Sequence, residues 1–279
     1  MDKARIKNFI IIVLVLVNAF LLLNVISSAK EQWDAQNFRV ESLKKVLSDN
    51  GITLDSDIEL PDSVPPLLSL KRDMEAEYDS FKALIGNCTV LDLGGNVFYY
   101  EGIDGQAKSR GTGDFEMKLN SGVVNKGRDP VYAAKSAMKK LGIECSSAEP
   151  VIAVEGENVT VTLCCAWDGV AVYSAKINFY FYSDNLLIIS GTRPLQEENT
   201  VSSSENYPDA VTVLMGFLES SSQSGYVCSE ISDLQVEYSM YSAVSGYCTL
   251  KPVWCIQTNS GSYYIDAETG IIENISSES

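Results

Sequence analysis

Four acids have residue types that could do chemistry: Asp114 and Glu116, two positions apart, and Asp266 and Glu268, again two apart. Glycoside hydrolysis needs only two carboxylates, one to protonate the leaving oxygen and one to attack or activate water. Nothing in their spacing selects a pair, and acids at strand ends and turns are ordinarily solvated. The chain contains no histidine. That removes Ser-His and Cys-His nucleophiles and every His-containing zinc site. The seven cysteines are Cys88, Cys145, Cys164, Cys165, Cys228, Cys248 and Cys255. They form no CxxC, so a thioredoxin-like motif and the paired spacing of a four-thiolate metal site are both missing. An odd count cannot pair fully within one chain, and we read the cysteines as free, buried, small apolar residues. The expectation is a protein that is not an enzyme, with no catalytic residue, no cofactor and no metal.

The charge balance excludes a further class. Lys and Arg total 21 against 37 Asp and Glu, a net −16, and such a chain repels phosphate backbones, so no nucleic-acid partner is expected. Apolar residues make up 46% of the chain, enough to bury a core.

Location is read from residues 9–26, FIIIVLVLVNAFLLLNVI, which carry no charge. At 1.5 Å per residue in a helix the run spans about 27 Å, close to a hydrocarbon core. Lys3, Arg5 and Lys7 precede it, so the N-terminus is expected in the cytoplasm and residues 27–279 outside the cell membrane. Ser27-Ser28-Ala29 has the small-x-small form of a cleavage site, which makes a cleaved signal peptide the competing reading. A signal h-region is shorter than this run, so we expect an uncleaved single-pass anchor. Asn18 shares a helical face with Leu21, Leu22 and Val25, at i+3, i+4 and i+7. That face is the candidate partner-binding seam, where the Asn18 amide either pairs with another helix or is merely tolerated.

Outside the membrane the pattern predicts α+β architecture. Residues 31–50 read as a stalk helix stopped by Gly51, residues 60–66 hold three prolines and read as a linker, and residues 73–85 are helical again. From Cys88 the period becomes two. Strands are expected at 88–93, 97–101 and 114–119, with Gly-rich turns at 94–96 and 102–113. Asp129 as N-cap and Pro130 at N1 start a helix over 129–141. Strands follow at 151–155, 158–167, 171–182 and 186–190. A helix at 207–218 then leads strands at 226–230, 234–243, 248–258, 262–266 and 270–274. The expected organisation is a cytoplasmic stub (1–8), the transmembrane helix (9–26), a stalk and helical segment (27–87), a first antiparallel sheet unit with its helix (88–192), a polar linker (193–206) and a second helix-plus-sheet unit (207–279). The run Phe179-Tyr180-Phe181-Tyr182 reads as a strand buried on both faces.

Leu250-Lys251-Pro252-Val253-Trp254-Cys255-Ile256, followed by Gly261-Ser262-Tyr263-Tyr264-Ile265-Asp266-Ala267-Glu268-Thr269-Gly270, resembles the strand-and-hairpin ending of PepSY-like modules. Those modules carry a P-x-W-x-[IV] strand and a Y-[IV]-[DN]-A-x-T-G turn. With the basic N-terminus, the single span and two helix-plus-sheet units, the chain is similar to the YycI/YycH-type regulators of Gram-positive bacteria. The resemblance implies a membrane-anchored accessory protein of a two-component system. Its partners would be a sensor histidine kinase controlling cell-wall metabolism (WalK, also called YycG) and a paralogous accessory protein, met through residues 9–26 and the sheet. The alternative is a PepSY-like inhibitor or chaperone of an extracellular hydrolase.

Overall fold

The computed structural model describes residues 14, 18, 37–56, 58–202, 207–224, 228–242 and 246–276. Four helices are described: α1 (37–49), α2 (Met74–Ile85), α3 (Pro130–Lys140) and α4 (Ala210–Ser224). Fifteen strands accompany them, so the protein is α+β and dominated by mostly antiparallel sheet. In chain order the strands are β1 (Thr53–Leu54), β2 (Leu67–Lys71), β3 (Cys88–Asp92), β4 (Val97–Gly102), β5 (Gly105–Arg110), β6 (Asp114–Leu119), β7 (Val151–Glu155), β8 (Asn158–Trp167), β9 (Val170–Tyr182), β10 (Asn185–Thr192), β11 (Glu197–Ser202), β12 (Glu230–Ser242), β13 (Tyr247–Thr258), β14 (Gly261–Asp266) and β15 (Ile272–Ser276).

The helix starts follow their capping chemistry. The Asp73 carboxylate accepts from the N–H groups of Glu75 (2.9 Å) and Ala76 (3.1 Å), and Gly86 closes α2 in a left-handed conformation. Asp129 caps α3 through the N–H groups of Val131 (2.9 Å) and Tyr132 (3.2 Å), with Pro130 next. Asp209 caps α4 through the N–H of Thr212, at 3.0 Å.

Two meanders meet along one seam. The first runs β7-β8-β9-β10-β6-β5-β4-β3, with β8 and β10 on opposite sides of β9. The second joins β12 to β13, and β13 then carries β14 and β2 along successive stretches of its other side. A single parallel bridge, Tyr238 to Val172, links β12 to β9 and makes the sheet continuous. Two cores are formed, the first mostly under the first meander with a contribution from β2, β12 and β13, the second under the second meander. The first packs Phe81, Leu84 and Ile85 of α2 and Ala134, Ala137 and Met138 of α3 against β4–β6 and β8–β10, together with Leu68 and Leu70 of β2, Tyr238 of β12 and Leu250 of β13. The second packs Leu43 and Leu47 of α1 and Leu214 and Phe217 of α4 against β12–β14.

Several expectations change. The helix expected as a stalk is instead part of the second core: Leu43 is 2% exposed and Leu47 fully buried. An amphipathic stripe reports that a helix packs, and only the partner distinguishes a stalk from a core helix. Each core therefore has two helices rather than one. The expected Gly-rich turn at 102–113 contains strand β5. Its glycines serve close approach: a Cβ on Gly102 would lie 2.2 Å from the Ile85 carbonyl oxygen, and one on Gly105 would lie 2.3 Å from that of Lys118. The segment 193–206, read as a linker, carries β11, which pairs antiparallel with β2. Of the strand expected at 226–230, residues 226 and 227 lie outside the described residues and only Glu230 is in a strand, as the start of β12, which runs through 234–242 of the next expected strand with a register shift between Ile231 and Asp233. Phe179 and Phe181 are buried while Tyr180 and Tyr182 are exposed, so that run is buried on one face only.

Candidate functional site

The surface that departs furthest from ordinary sheet chemistry is strand β7. Its sequence, VIAVE, has no polar residue until Glu155, and all five side chains are exposed, including Val151 (65%), Ile152 (50%) and Val154 (66%). It pairs antiparallel with β8 and with no other strand among the described residues. Edge strands are usually blunted by lysine, proline or a bulge, and β7 has none of these. A row of unpaired backbone groups is therefore flanked by apolar side chains on both faces. At the far end of the same meander, β3 is also an edge and exposes Val90 and Leu91, with Leu93 just beyond it.

The interior behind these edges is held by charge. Glu77 stands on the apolar face of α2, four residues before Phe81, and is 1% exposed. Arg72 donates to both its oxygens, at 2.5 Å to Oε1 and 3.1 Å to Oε2. Tyr100 donates to Oε1 at 2.6 Å and Ser109 to Oε2 at 2.9 Å. Arg193, 3% exposed, brings Nη2 to 3.6 Å from Oε2 and donates from Nη1 to Ser80 at 2.8 Å. Its guanidinium lies over the Phe81 and Phe115 rings, 4.9 and 5.3 Å from their centroids. Burial pushes the Arg193 pKa down, against the pull of Glu77, and burial together with the Glu77 carboxylate pushes that of Tyr100 up. One carboxylate thus ties α2 to the residue that follows β2, to β4 and β5, and to the chain after β10.

The β14–β15 hairpin is the second ionic feature. Asp266 accepts from the N–H groups of Glu268 (2.8 Å) and Thr269 (2.7 Å), and Gly270 donates to the Asp266 carbonyl at φ 70°. Lys251 pairs with the Asp266 carboxylate and lies 3.9 Å from Glu268. Burial raises the Asp266 pKa, but Lys251 and the turn N–H groups outweigh it and hold the carboxyl at about 2. The other two candidate acids are also committed. Asp114 accepts from Thr112 (2.7 Å) and Thr192 (2.5 Å), and Glu116 pairs with Lys118 at 3.1 Å.

Of the candidate membrane seam, Asn18 is described, helical and exposed, while Leu21, Leu22 and Val25 lie outside the described residues. The span 9–26 as a whole, with the stub 1–8, lies outside them too, save Leu14 and Asn18. No helix among the described residues is long and apolar enough to cross a membrane. All seven cysteines are free: Cys165 is buried and its neighbour Cys164 half-buried, and burial raises the pKa of both thiols. Among the described residues no cluster of three Cys, Asp or Glu side chains is placed to hold a metal ion.

Arg72, Tyr100 and Arg193 carried no signal in the sequence, because their partnership spans more than a hundred residues. Glu77 did carry one: a lone acid within the stripe of Phe81, Leu84 and Ile85. The exposure of β7 was hidden, since a short apolar run reads the same at an edge as in a core.

No family model and no curated protein matches the chain. Among solved structures it is similar to an uncharacterized protein from Eubacterium rectale ATCC 33656, with a TM-score of 0.51 and 10% identity over 81% of this chain and 91% of that one. It is also similar to the Bacillus megaterium YpeB C-terminal domain, with a TM-score of 0.41 and 11% identity over 75% of this chain and 99% of that one. At such identity the first likeness bears on the fold alone.

Proposed function

We propose that this chain is a membrane-anchored, non-catalytic accessory protein that modulates a sensor histidine kinase of a two-component system controlling cell-wall metabolism. It works by touch, through residues 9–26 in the membrane and the sheet outside it. The observation that carries the contact reading is the β7 edge, with open backbone groups and Val151, Ile152 and Val154 all exposed. The choice of a kinase rests on the resemblance of residues 250–270 to a PepSY-like ending and on the basic flank before the apolar run. A contact that favours one kinase state by about 1–3 kcal/mol changes its output roughly 5- to 150-fold. Exchanging residues 9–26 for an unrelated membrane span is expected to change kinase output in cells by about 5-fold or more. Unchanged output in cells that retain the folded ectodomain overturns the reading.

The same edge favours a second reading, an inhibitor or chaperone of an extracellular hydrolase, because an open strand can accept a strand from a partner. That role needs the ectodomain and not the anchor. Full activity in cells from a secreted 30–279 fragment selects it over the kinase.

A further inference from the structure

The chain that leaves α3 touches β8 before it turns into β7. The Ser146 N–H donates to the Cys164 carbonyl at 3.0 Å, and the Ala166 N–H donates to the Glu144 carbonyl at 2.8 Å. These two bonds bracket an antiparallel pair, Cys145 opposite Cys165. A pair bracketed in this way is the closer of the two antiparallel kinds, with Cα atoms about 4.5 Å apart and both side chains on one face. Disulfides join residues whose Cα atoms lie roughly 4.4–6.8 Å apart, so the backbone alone brings these two within bonding range. Both side chains pack on the first core, Cys165 buried in it and Cys145 half-buried at its margin.

The two thiols are lightly held. Cys145 Sγ donates to the Ser146 carbonyl at 3.5 Å and Cys165 Sγ to that of Thr192 at 3.8 Å, both weak contacts. Cys164 is placed differently: it stands opposite Lys176, the register of β8 on β9 shifts immediately after it, and its Sγ donates to the Val172 carbonyl at 3.3 Å. Burial raises the Cys145 thiol against the pull of Lys135, and burial with Cys164 raises that of Cys165 against Arg193. Both thiolates are therefore scarce in the folded chain, and the half-buried Cys145 is the one an oxidant reaches first.

We propose that Cys145 and Cys165 form a disulfide that clasps the β7–β8 hairpin, with a disulfide compound of the extracytoplasmic space as oxidant. The Cys145 thiolate attacks one sulfur of the oxidant, whose S–S bond breaks and releases one thiolate. The Cys165 thiolate then attacks the Cys145 sulfur of the mixed disulfide, and the second thiolate leaves. The two cysteines give up two protons and two electrons, and the oxidant becomes two thiols. Residues 146–164 contain β7 and most of β8, so the bond closes a loop around the exposed contact edge. It restricts the opened states of that hairpin and leaves the outer side of β7 free for a partner. The supply of oxidant in the cell rests on the location proposed above, whereas the pairing does not.

The full-length chain in detergent, treated with oxidised glutathione either folded or during refolding from urea, then alkylated and digested, tests the pair. The expected product is an intrachain link from Cys145 to Cys165 that persists in Cys164→Ser and is absent from Cys145→Ser. Hydrogen exchange over residues 151–164 is expected to slow at least about tenfold in the linked form and to recover with dithiothreitol. Cys145→Ser, its folding checked by thermal melting, should show neither change. No link by either route, a link that is lost in Cys164→Ser, or equal exchange in linked and reduced chains overturns the proposal. A chain that links in this assay yet is trapped reduced from cells keeps the pair and overturns the outside location.

Discussion

The first core seals three charged groups among its apolar side chains, whereas the second is built almost wholly from hydrocarbon and rings. Around α2, Glu77, Arg72 and Arg193 meet beneath Phe81 and Phe115. Around α4, Phe217 meets Tyr263 edge-on with ring centroids 5.0 Å apart, and Leu43, Leu47, Trp254 and Ile256 fill the space about them. The ionic feature of the second unit, Lys251 with Asp266, sits out on the hairpin, where Lys251 remains partly exposed. A buried ion cluster costs desolvation and tolerates few geometries, so it selects one placement of α2 on the sheet. Apolar packing stabilises more per residue removed from water and is more forgiving of detail. We expect specificity of arrangement to be concentrated in the first unit and bulk stability in the second.

Removing the charge that holds the first core is expected to have the largest effect. Glu77→Leu leaves two buried guanidinium groups without their carboxylate and should cost about 3–5 kcal/mol in urea unfolding. Hydrogen exchange sharpens the comparison: amides of β4–β6 should lose protection before those of β13 and β14. Equal loss in both would mean that the cores unfold as one unit. Leu47→Ala, which deletes a fully buried side chain of α1, should cost about 3 kcal/mol and loosen α1 and α4 first.

The seam between the cores is expected to respond to pH. Glu237, next to the bridging residue Tyr238, is pushed up to about 7 by burial, partly offset by a hydrogen bond with Cys255 and by Lys176, with Asp233 pushing the same way as burial. A carboxyl whose folded value exceeds its ordinary 4.5 binds a proton in the native state that the unfolded chain has released. Stability therefore falls as pH rises from 4.5 towards 7 and then levels. Glu237→Gln should flatten that slope and stabilise the protein at pH 8 by on the order of 2 kcal/mol, read from thermal melts at pH 5 and pH 8. A slope unchanged by the substitution would place the pH dependence elsewhere.

Asp266 works in the opposite direction and more weakly. Its folded value of about 2 lies below its ordinary 3.8, so its contribution is complete above that ordinary value and is lost as pH falls towards 2. Lys251→Met should reduce this acid limb and cost about 1 kcal/mol at neutral pH. An acid limb of unchanged depth would mean that the turn N–H groups of Glu268 and Thr269 hold the carboxylate unaided.

Much of the secondary structure was legible because its signals are local. Asp73, Asp129 and Asp209 each satisfy N–H groups two or three residues away, and β6, β7 and β8 alternate or end where their side chains and turns require. The site was far less so. Glu77 could be noticed as an acid on an apolar stripe, but its partners lie just after β2, on β4 and β5, and beyond β10, and no sequence spacing encodes that meeting. The β5 strand was obscured because its flanking glycines serve a close approach to Ile85 and Lys118 rather than a loop.

By itself, the order of residues determined where helices begin, where the period changes from 3.6 to two, which catalytic classes lack their side chains, and that an uncharged eighteen-residue run precedes an acidic remainder. Tertiary structure alone decided that 37–49 is a core helix, that β12 joins two meanders into one sheet, and that β7 ends at an open edge. Caps, turns and side-chain periods are satisfied within a few residues, so they are written locally. Whether an apolar face or a charge is buried depends on which distant segment arrives against it, and that is settled only when the whole chain competes for the same cores.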